Sequence, residues 1–483
     1  MMSSRAVFVV AAILAAVCAA PDAVDVRGGQ TRLSAPISIH PENPHYFLWR
    51  GKPAVLIGSG EHYGALVNLD FDYRTYFDTL AADGMVLTRL FSGSYVEPEG
   101  SFNIARNTLA PRPERFISPW ARSNQPGYEN GGNRFDLDRW DPSYFDRLKA
   151  LAAYAATKDV VIEFTLFCPM YENKQWNLSP MNGINNVNGL GNVGRLDVFT
   201  LDKSGGLLAV QEALTRKLVT ELNPMENVII EIMNEPYTIM NEPNARAVPL
   251  DWQRRIAEVI VETERTLPNK HLISQNIANK SGTVQPAHSG VSVFNFHYAA
   301  PEAVSANYQL NKVIGDNETG FKGTADTPYR LEAWEVVMSG GGLFNHLDYS
   351  FAAGYESGTF AYPSTQPGGG NAAFRRQMRV LRDFIHAVDF IHMHPDDAIV
   401  TDATAGVTAR ALVLPSAAIA IFLKGGGPSA TISVRIPAGT WTVEWVDTRT
   451  GAVARGANVS GGKVQALAAP AYESDIALRL LKQ

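Results

Sequence analysis

Two carboxylates at the ends of apolar runs are the groups in this sequence best placed to do chemistry. The run Asn227-Val-Ile-Ile-Glu-Ile-Met-Asn-Glu-Pro236 is an apolar strand that closes on Asn234-Glu235-Pro236. Pro236 has no N–H for a ladder, so the strand stops there and leaves Glu235 at its C-terminal tip. A second run, Lys312-Val-Ile-Gly-Asp-Asn-Glu-Thr-Gly320, ends on Glu318, with Asp316 as the alternative acid. Two facing carboxylates suit the cleavage of a glycosidic bond. One protonates the leaving oxygen; the other attacks the sugar or activates water. Taken alone, Glu318 reads as a solvated loop acid, and the Asn-Glu-Pro upstream is what makes it a partner. The copy at Asn241-Glu242-Pro243 follows no strand and reads as coincidence. Glu231, on the same strand as Glu235, reads as an interior carboxylate that needs a basic partner, because a lone buried charge is costly.

Elements that would present such tips recur along the chain. Eight short apolar, β-branched runs lie at 54–58, 85–91, 160–167, 228–233, 271–276, 291–297, 312–315 and 342–346. Amphipathic stretches separate them: Leu148, Leu151, Ala152, Ala155; Leu207, Val210, Leu214, Leu218; and Ile256, Val259, Ile260, Thr263, Leu267 follow helical spacing. Near-continuous apolar strands between such helices imply a parallel sheet covered on both faces. The expected fold class is therefore α/β, a (β/α)₈ TIM barrel, whose active sites lie at the C-terminal ends of the strands. A doubly wound sheet is the competing fold, but no Gly-x-Gly-x-x-Gly follows the first strand and no Walker motif occurs. Two long loops, 92–140 and 168–204, belong on the functional face. Their aromatics Trp120, Tyr128, Tyr171 and Trp176 are candidates for stacking on sugar rings. After His394-Pro395 short strands punctuated by glycine take over, which predicts a small all-β sandwich. The expected division is a catalytic barrel over 21–395 and a sandwich over 396–483. Trp441 and Trp445 are expected in the sandwich core, and Trp334 in helix packing.

The chain has 483 residues, 46% of them hydrophobic and 19% charged, with a formal charge of −6. That composition excludes a disordered or collagen-like chain and gives no bulk positive charge to recruit nucleic acid. Arg5, the apolar run 6–18 and the small residues up to Ala20 predict a secretory signal peptide over 1–20, cleaved after Ala19 or Ala20. A lipoprotein signal is the rival, since Cys18 ends the run. The expected location is secreted or periplasmic, with no later membrane span. Of the two cysteines, Cys18 and Cys168, only the second would remain, which leaves no internal disulfide. No cofactor and no metal is expected.

The Asn-Glu-Pro context, followed by a Glu on a later strand, resembles the clan A retaining glycoside hydrolases, the cellulase-like family five group in particular. The resemblance spans most of 54–351. Arg89 in Leu87-Thr88-Arg89-Leu90 resembles that group's strand-two arginine, and His297-Tyr298 its His/Tyr pair on the sixth strand. The resemblance implies Glu235 as acid/base and Glu318 as nucleophile. It also implies that Asn234 bonds the sugar 2-hydroxyl and that Arg89 and Tyr298 orient and ionise Glu318. The implied partner is a poly- or oligosaccharide. Two departures stand out. The clan's strand-eight Trp gives way to Gly340-Gly-Gly-Leu-Phe-Asn-His-Leu-Asp-Tyr349, where His346 and Asp348 are offered as substrate contacts instead. Its strand-three His gives way to Phe167-Cys168-Pro169. In Glu61-His62-Tyr63, His62 is a further candidate sugar contact. The tail from Ile436 to Asp447 resembles β-sandwich modules appended to bacterial cellulase-like proteins.

Two other functions compete. A metal-dependent barrel hydrolase would use His62, His297 and His346, although the first strand lacks a His-x-His. A non-catalytic secreted glycan-binding protein would keep the barrel without turnover.

Overall fold

The computed structural model describes residues 35–237 and 247–483. The expected signal peptide and the second Asn-Glu-Pro lie outside the described residues. Eight parallel strands close into a barrel: β1 (Leu56–Gly60), β2 (Leu87–Phe91), β3 (Val161–Phe167), β4 (Val228–Met233), β5 (Leu272–Asn279), β6 (Val291–His297), β7 (Val313–Thr319) and β8 (Leu343–Leu347). Each pairs with its sequence neighbours, and β8 closes on β1 through Leu343–Leu56 to Leu347–Gly60. These strands are buried along both faces, one covered by helices and the other turned to the barrel interior, which is why they read as near-continuous apolar runs.

The helices are α1 (Tyr73–Asp83), α2 (Pro142–Thr157), α3 (Leu207–Leu222), α4 (Leu250–Glu264), α5 (Pro301–Ser305), α6 (Asp326–Met338) and α7 (Ala372–His386). Local sequence sets their ends. The Asp72 side chain accepts from the N–H groups of Arg74 and Thr75 at the start of α1, and Gly84 ends that helix at φ 81°. Asp141 caps α2, with Pro142 in its first turn. Residues 280–290, between β5 and β6, form no helix. The loop after β2 holds a two-stranded ribbon, Trp120–Pro126 with Asn133–Trp140, and the loop after β3 a short helix, Asn173–Leu178.

The barrel interior is layered. At the N-terminal end each strand contributes one apolar side chain: Leu56, Leu87, Val161, Ile229, Leu272, Val293, Val313 and Leu343. A small antiparallel sheet of Ser38–Ile39, Phe47–Trp49 and Lys52–Ala54 supports this layer, and Ile37, Phe47 and Trp49 pack against it. Two residues further along each strand the interior turns polar, with Arg89, Glu163, Glu231, Ser274 and Asn295. Gly315 occupies that level on β7, where a Cβ would meet the Asn295 side-chain oxygen at 2.5 Å.

The C-terminal strands form two antiparallel sheets. The larger runs through Thr408–Leu414, Ala418–Lys424, Asp475–Lys482 and Thr440–Val446; the smaller joins Val400–Ala403, Thr431–Ile436 and Lys463–Ala468. Trp441 and Trp445 are buried among Ile421, Val434 and Leu478 between them. The outer face of the larger sheet packs on α6. Trp334 stacks on Phe422 at 5.3 Å, and Arg330 makes a two-pronged ion pair with Asp475 at 2.6 and 3.0 Å. Lys424 adds a contact to Glu335 at 2.7 Å. Among the described residues, no helix is long and apolar enough to cross a membrane.

Candidate active site

At the C-terminal mouth of the barrel a cavity of about 420 Å³ is lined by Asn234, Glu235, Glu318, Tyr298, His62 and Glu97, with Tyr63, Phe91, Phe102, Cys168, Tyr171 and Phe321 making most of the remaining wall. Glu235 stands two residues past the end of β4, with its backbone at φ 34° and its N–H bonded to the Asn276 side-chain oxygen at 3.1 Å. Tyr63 (φ 59°) and Tyr298 (φ 53°), on the segments after β1 and β6, share this left-handed conformation. Such backbone is costly for bulky side chains and persists where surrounding contacts hold it, as at functional sites.

Glu318 reaches the mouth because β7 is irregular. Phe296 pairs with Asp316 but His297 pairs with Glu318, so Asn317 is an extra residue. Asn317 and Glu318 therefore both face the interior, while Asp316 turns to the helix side beside Glu332 of α6. There, burial and the Glu332 charge push the Asp316 carboxyl well up. Of the two acids offered by this run, the bulge selects Glu318.

Around Glu318 the contacts are those of a charged carboxylate. Oε2 accepts from the Tyr63 hydroxyl at 2.9 Å and from Arg89 Nη1 at 3.2 Å; Oε1 accepts from the Tyr298 hydroxyl at 3.1 Å. His297 Nδ1 lies 3.4 Å from Glu318 Oε1 and 3.1 Å from Glu235 Oε1, so one ring nitrogen spans both acids. Burial alone would raise the Glu318 pKa, but the His297 charge and hydrogen bond, with Arg89 and Tyr63, outweigh it and hold the carboxyl well below the usual carboxylate range. His297 responds in the opposite sense. Burial opposes its charge, yet Glu318 and Glu235 push it up to about 10. Burial also raises Tyr63, Tyr171 and Tyr298 well above an ordinary phenol, so all three stay protonated and donate.

Glu235 is held differently. Its Oε2 accepts from the Tyr171 hydroxyl at 2.7 Å, and that hydroxyl accepts from Asn234 Nδ2 at 2.7 Å. Asn234 Oδ1 in turn accepts from Arg89 Nη2 at 2.7 Å. An oxygen of Glu235, an oxygen of Glu318 and a His297 nitrogen all lie within 4.8 Å of one another. Among the described residues this is the one group spaced to hold a metal ion. One His297 nitrogen lies within ion-pairing distance of both carboxylates, so ion pairing accounts for the cluster. The three histidines of the metal-site reading do not converge: His62 meets Glu97, His297 meets the two acids, and His346 meets Ser59.

Beneath the acids lies a sealed polar layer. Glu231 has the basic partner it was expected to need: Arg89 donates to it from Nε at 3.0 Å and from Nη2. Glu231 also accepts from Thr165 (2.6 Å), Asn276 (2.8 Å) and Asn317 (2.7 Å). Glu163, on β3, accepts from Ser274, Asn295 and Asn317 at 2.6–2.9 Å. Its burial, and then the nearby Glu231 charge, push it up to about 7.

Several expected site residues sit elsewhere than the sequence implied. Arg89 and His297 are fully buried behind the acids and support them instead of lining the cavity. His346 is a correction: β8 alternates so that Asn345 faces inward and His346 outward, 4.4 Å from the Tyr329 ring and 4.6 Å from Phe374. Burial lowers its pKa to about 3, so it is a neutral packing residue. Asp348 is also corrected, being tied to Arg375 Nη1 at 2.5 Å and to Ser59 and Ser350 away from the cavity. Trp176 is buried inside its own loop, donating to the Val193 carbonyl at 3.0 Å, and offers no face to the cavity. Tyr63 stands in the tripeptide that offered His62, while Glu97, Asn276, Asn317 and Glu163 were not among the expected site residues. Of these Glu163 carried a readable signal, a lone charge inside an apolar run.

No family model matches the sequence, and no curated protein matches it. Solved structures do share its fold. A candidate glycoside hydrolase from Bacteroides vulgatus is 13% identical, with a TM-score of 0.65, over 93% of this chain and 83% of that one. A glycoside hydrolase of family 5 from the same organism is 12% identical, with a TM-score of 0.64, over 93% of both chains. A further glycoside hydrolase is 12% identical, at a TM-score of 0.63, over 93% of this chain and 97% of that one. The barrel with its appended β-sheets is thus an architecture found among solved glycoside hydrolases. At these identities the likeness extends to the fold and no further.

Proposed function

We propose that this chain is an exported, retaining O-glycoside hydrolase that cleaves β-linkages in a poly- or oligosaccharide. The observation that carries the reading is the acid pair: two carboxylates with oxygens within 4.8 Å, at the ends of β4 and β7, in one cavity. Retaining enzymes hold their carboxyl groups about 5–5.5 Å apart and inverting ones about 6.5–9.5 Å; the closest oxygens of this pair, both within reach of one His297 nitrogen, favour the nearer spacing. The contacts divide the roles. Glu318 takes the Arg89 charge and two phenol donors, as an ionised nucleophile requires. Glu235, bonded to Tyr171, then protonates the leaving oxygen and later deprotonates the water that releases the sugar. Asn234, beside the pair, is the candidate for bonding the sugar 2-hydroxyl. Export follows from the signal-like residues 1–20.

The test is reducing-sugar release from a panel of β-linked polysaccharides. The wild type is expected to degrade at least one, and Glu318→Ala to lose at least about 10⁴-fold in kcat. Azide is expected to restore turnover of an activated glycoside by Glu318→Ala with inverted product. Normal turnover by that variant contradicts the assignment.

A further inference from the structure

One side of the cavity mouth is closed by a band of tied loops. Residues 97–109, within the loop after β2, are closed on themselves by a bond from the Glu97 N–H to the Leu109 carbonyl at 2.9 Å. Their base rests on the segment after β1, where Asn68 Nδ2 donates to the Thr108 carbonyl at 3.1 Å. Their tip is tied to the loop after β8. The Ala105 N–H bonds Gln366 Oε1 at 2.9 Å, and the Arg106 guanidinium lies over the rings of Tyr355 and Phe360 at 5.4 and 5.9 Å. That loop is bonded in turn to the segment after β7, from the Gly323 N–H to the Pro367 carbonyl at 3.0 Å. The band thus runs from β2 past β1 and β8 to β7. Phe102, at its tip, lines the cavity and packs edge-on against two other lining rings, Tyr171 at 5.5 Å and Phe321 at 6.4 Å. Phe102, Asn103 and Arg106 are left-handed, at φ 55°, 59° and 50°. Such backbone persists where surrounding contacts hold it.

We infer that this band makes the protein end-acting: it removes single sugars from the non-reducing end of its glycan and does not cut within a glycan chain. The strands close in sequence order, so β8 lies across the barrel from β4. Glu235, past the end of β4, protonates the leaving oxygen, so the leaving part of the glycan lies on that side, towards Asn279 and Lys280 at the end of β5. The band stands on the opposite side, behind the sugar whose anomeric carbon Glu318 attacks. An internal cut needs a further sugar beyond that one, in the place the band occupies. Phe102 and Phe321 would meet its hydroxyls with ring carbons, and a hydroxyl buried without a partner is costly. Among the described residues, none after β8 lines the cavity; Phe102 and Phe321 meet on that side. The wall is also close to the acids. Phe102 touches Tyr171, which is bonded to Glu235 at 2.7 Å, and this depth admits one sugar.

This inference rests on the proposed glycosidase activity. Its test follows a short oligosaccharide cut from the polysaccharide that the wild type degrades and labelled at its reducing end. With the wild type, the labelled products are expected to shorten one sugar at a time, and the unlabelled product to be free monosaccharide. Phe102→Ala and Arg106→Ala are run beside it, with thermal unfolding of each. Phe102→Ala opens the wall and is expected to raise the share of internal cuts, seen as unlabelled di- and trisaccharides, by about 10-fold or more at an unfolding midpoint close to that of the wild type. Arg106→Ala frees the tip from Tyr355 and Phe360 and is expected to raise that share less. The inference is overturned if the wild type releases unlabelled di- or trisaccharides from the outset, if the labelled sugar is released first, or if both variants keep the wild-type product pattern. A wild type inactive on the whole panel refutes the proposed function and this inference with it. An active wild type that cuts internally refutes this inference alone.

Discussion

The two halves of the barrel interior are built from opposite materials. The lower half takes one apolar side chain from each of eight strands and is covered by a small sheet. The upper half, two residues further along the same strands, holds Arg89, Glu163, Glu231 and a set of amides, all buried. The lower half stabilises the fold by burial, at about 25 cal/mol per Å² of apolar surface. The upper half does little for net stability, because burying ionised groups costs several kcal/mol each and their pairing returns about as much. What it provides is a fixed set of donors below Glu318 and Glu235. The strands are thus anchors at one end and a charged template at the other.

Three changes would break or sharpen that contrast. Removing Arg89 is the most severe, since Glu231 would be left buried without its cation and Glu318 without its nearest fixed positive charge. Arg89→Met is expected to lower unfolding free energy by about 3–5 kcal/mol in chemical denaturation and to abolish turnover. Leu343→Ala removes one lower-layer side chain. It should cost about 2–4 kcal/mol of stability while leaving kcat within about twofold, because it packs in the apolar layer at the opposite end of the strands from the acids. A large loss of kcat at intact stability would erase the distinction between the halves.

Glu163→Gln is the subtlest change. The folded-state pKa of Glu163 is raised from an ordinary 4.5 to about 7. Between those values the folded protein holds a proton that the unfolded chain has released, so this group makes stability fall as pH rises through that window. Wild-type unfolding free energy should therefore drop between about pH 4.5 and 7. Relative to wild type, the Gln variant should gain about 2–3 kcal/mol from pH 5 to pH 8. A constant difference across that range would show that Glu163 does not titrate there.

Much of this arrangement was legible in the residues, and the gaps have physical causes. The eight strands were readable because doubly buried strands are continuous apolar runs, and Glu231 because a charge inside such a run needs a partner. Pro236 marked the tip that carries Glu235. Trp441, Trp445 and Trp334 were expected in packing and are buried there. The side of the barrel on which a residue falls was harder to read. Strand alternation shifts every side chain to the other face with a one-residue change, which is why His346 was expected at the mouth and lies against α6 and α7. The bulge that turns Glu318 inward leaves no local mark in Asp316-Asn317-Glu318. Glu97 and Trp176 lie in long insertions, where no periodicity ties a residue to a direction, and only tertiary contacts separate cavity wall from loop core.

The central claim is that Glu235 and Glu318 act by double displacement. The most direct measurement is proton NMR of the anomer first released when the wild type cleaves a β-linked glycan, recorded before mutarotation. The account predicts the β-anomer, formed with net retention through a glycosyl bond to Glu318. The α-anomer, released first, would mean that water attacks directly and would contradict it.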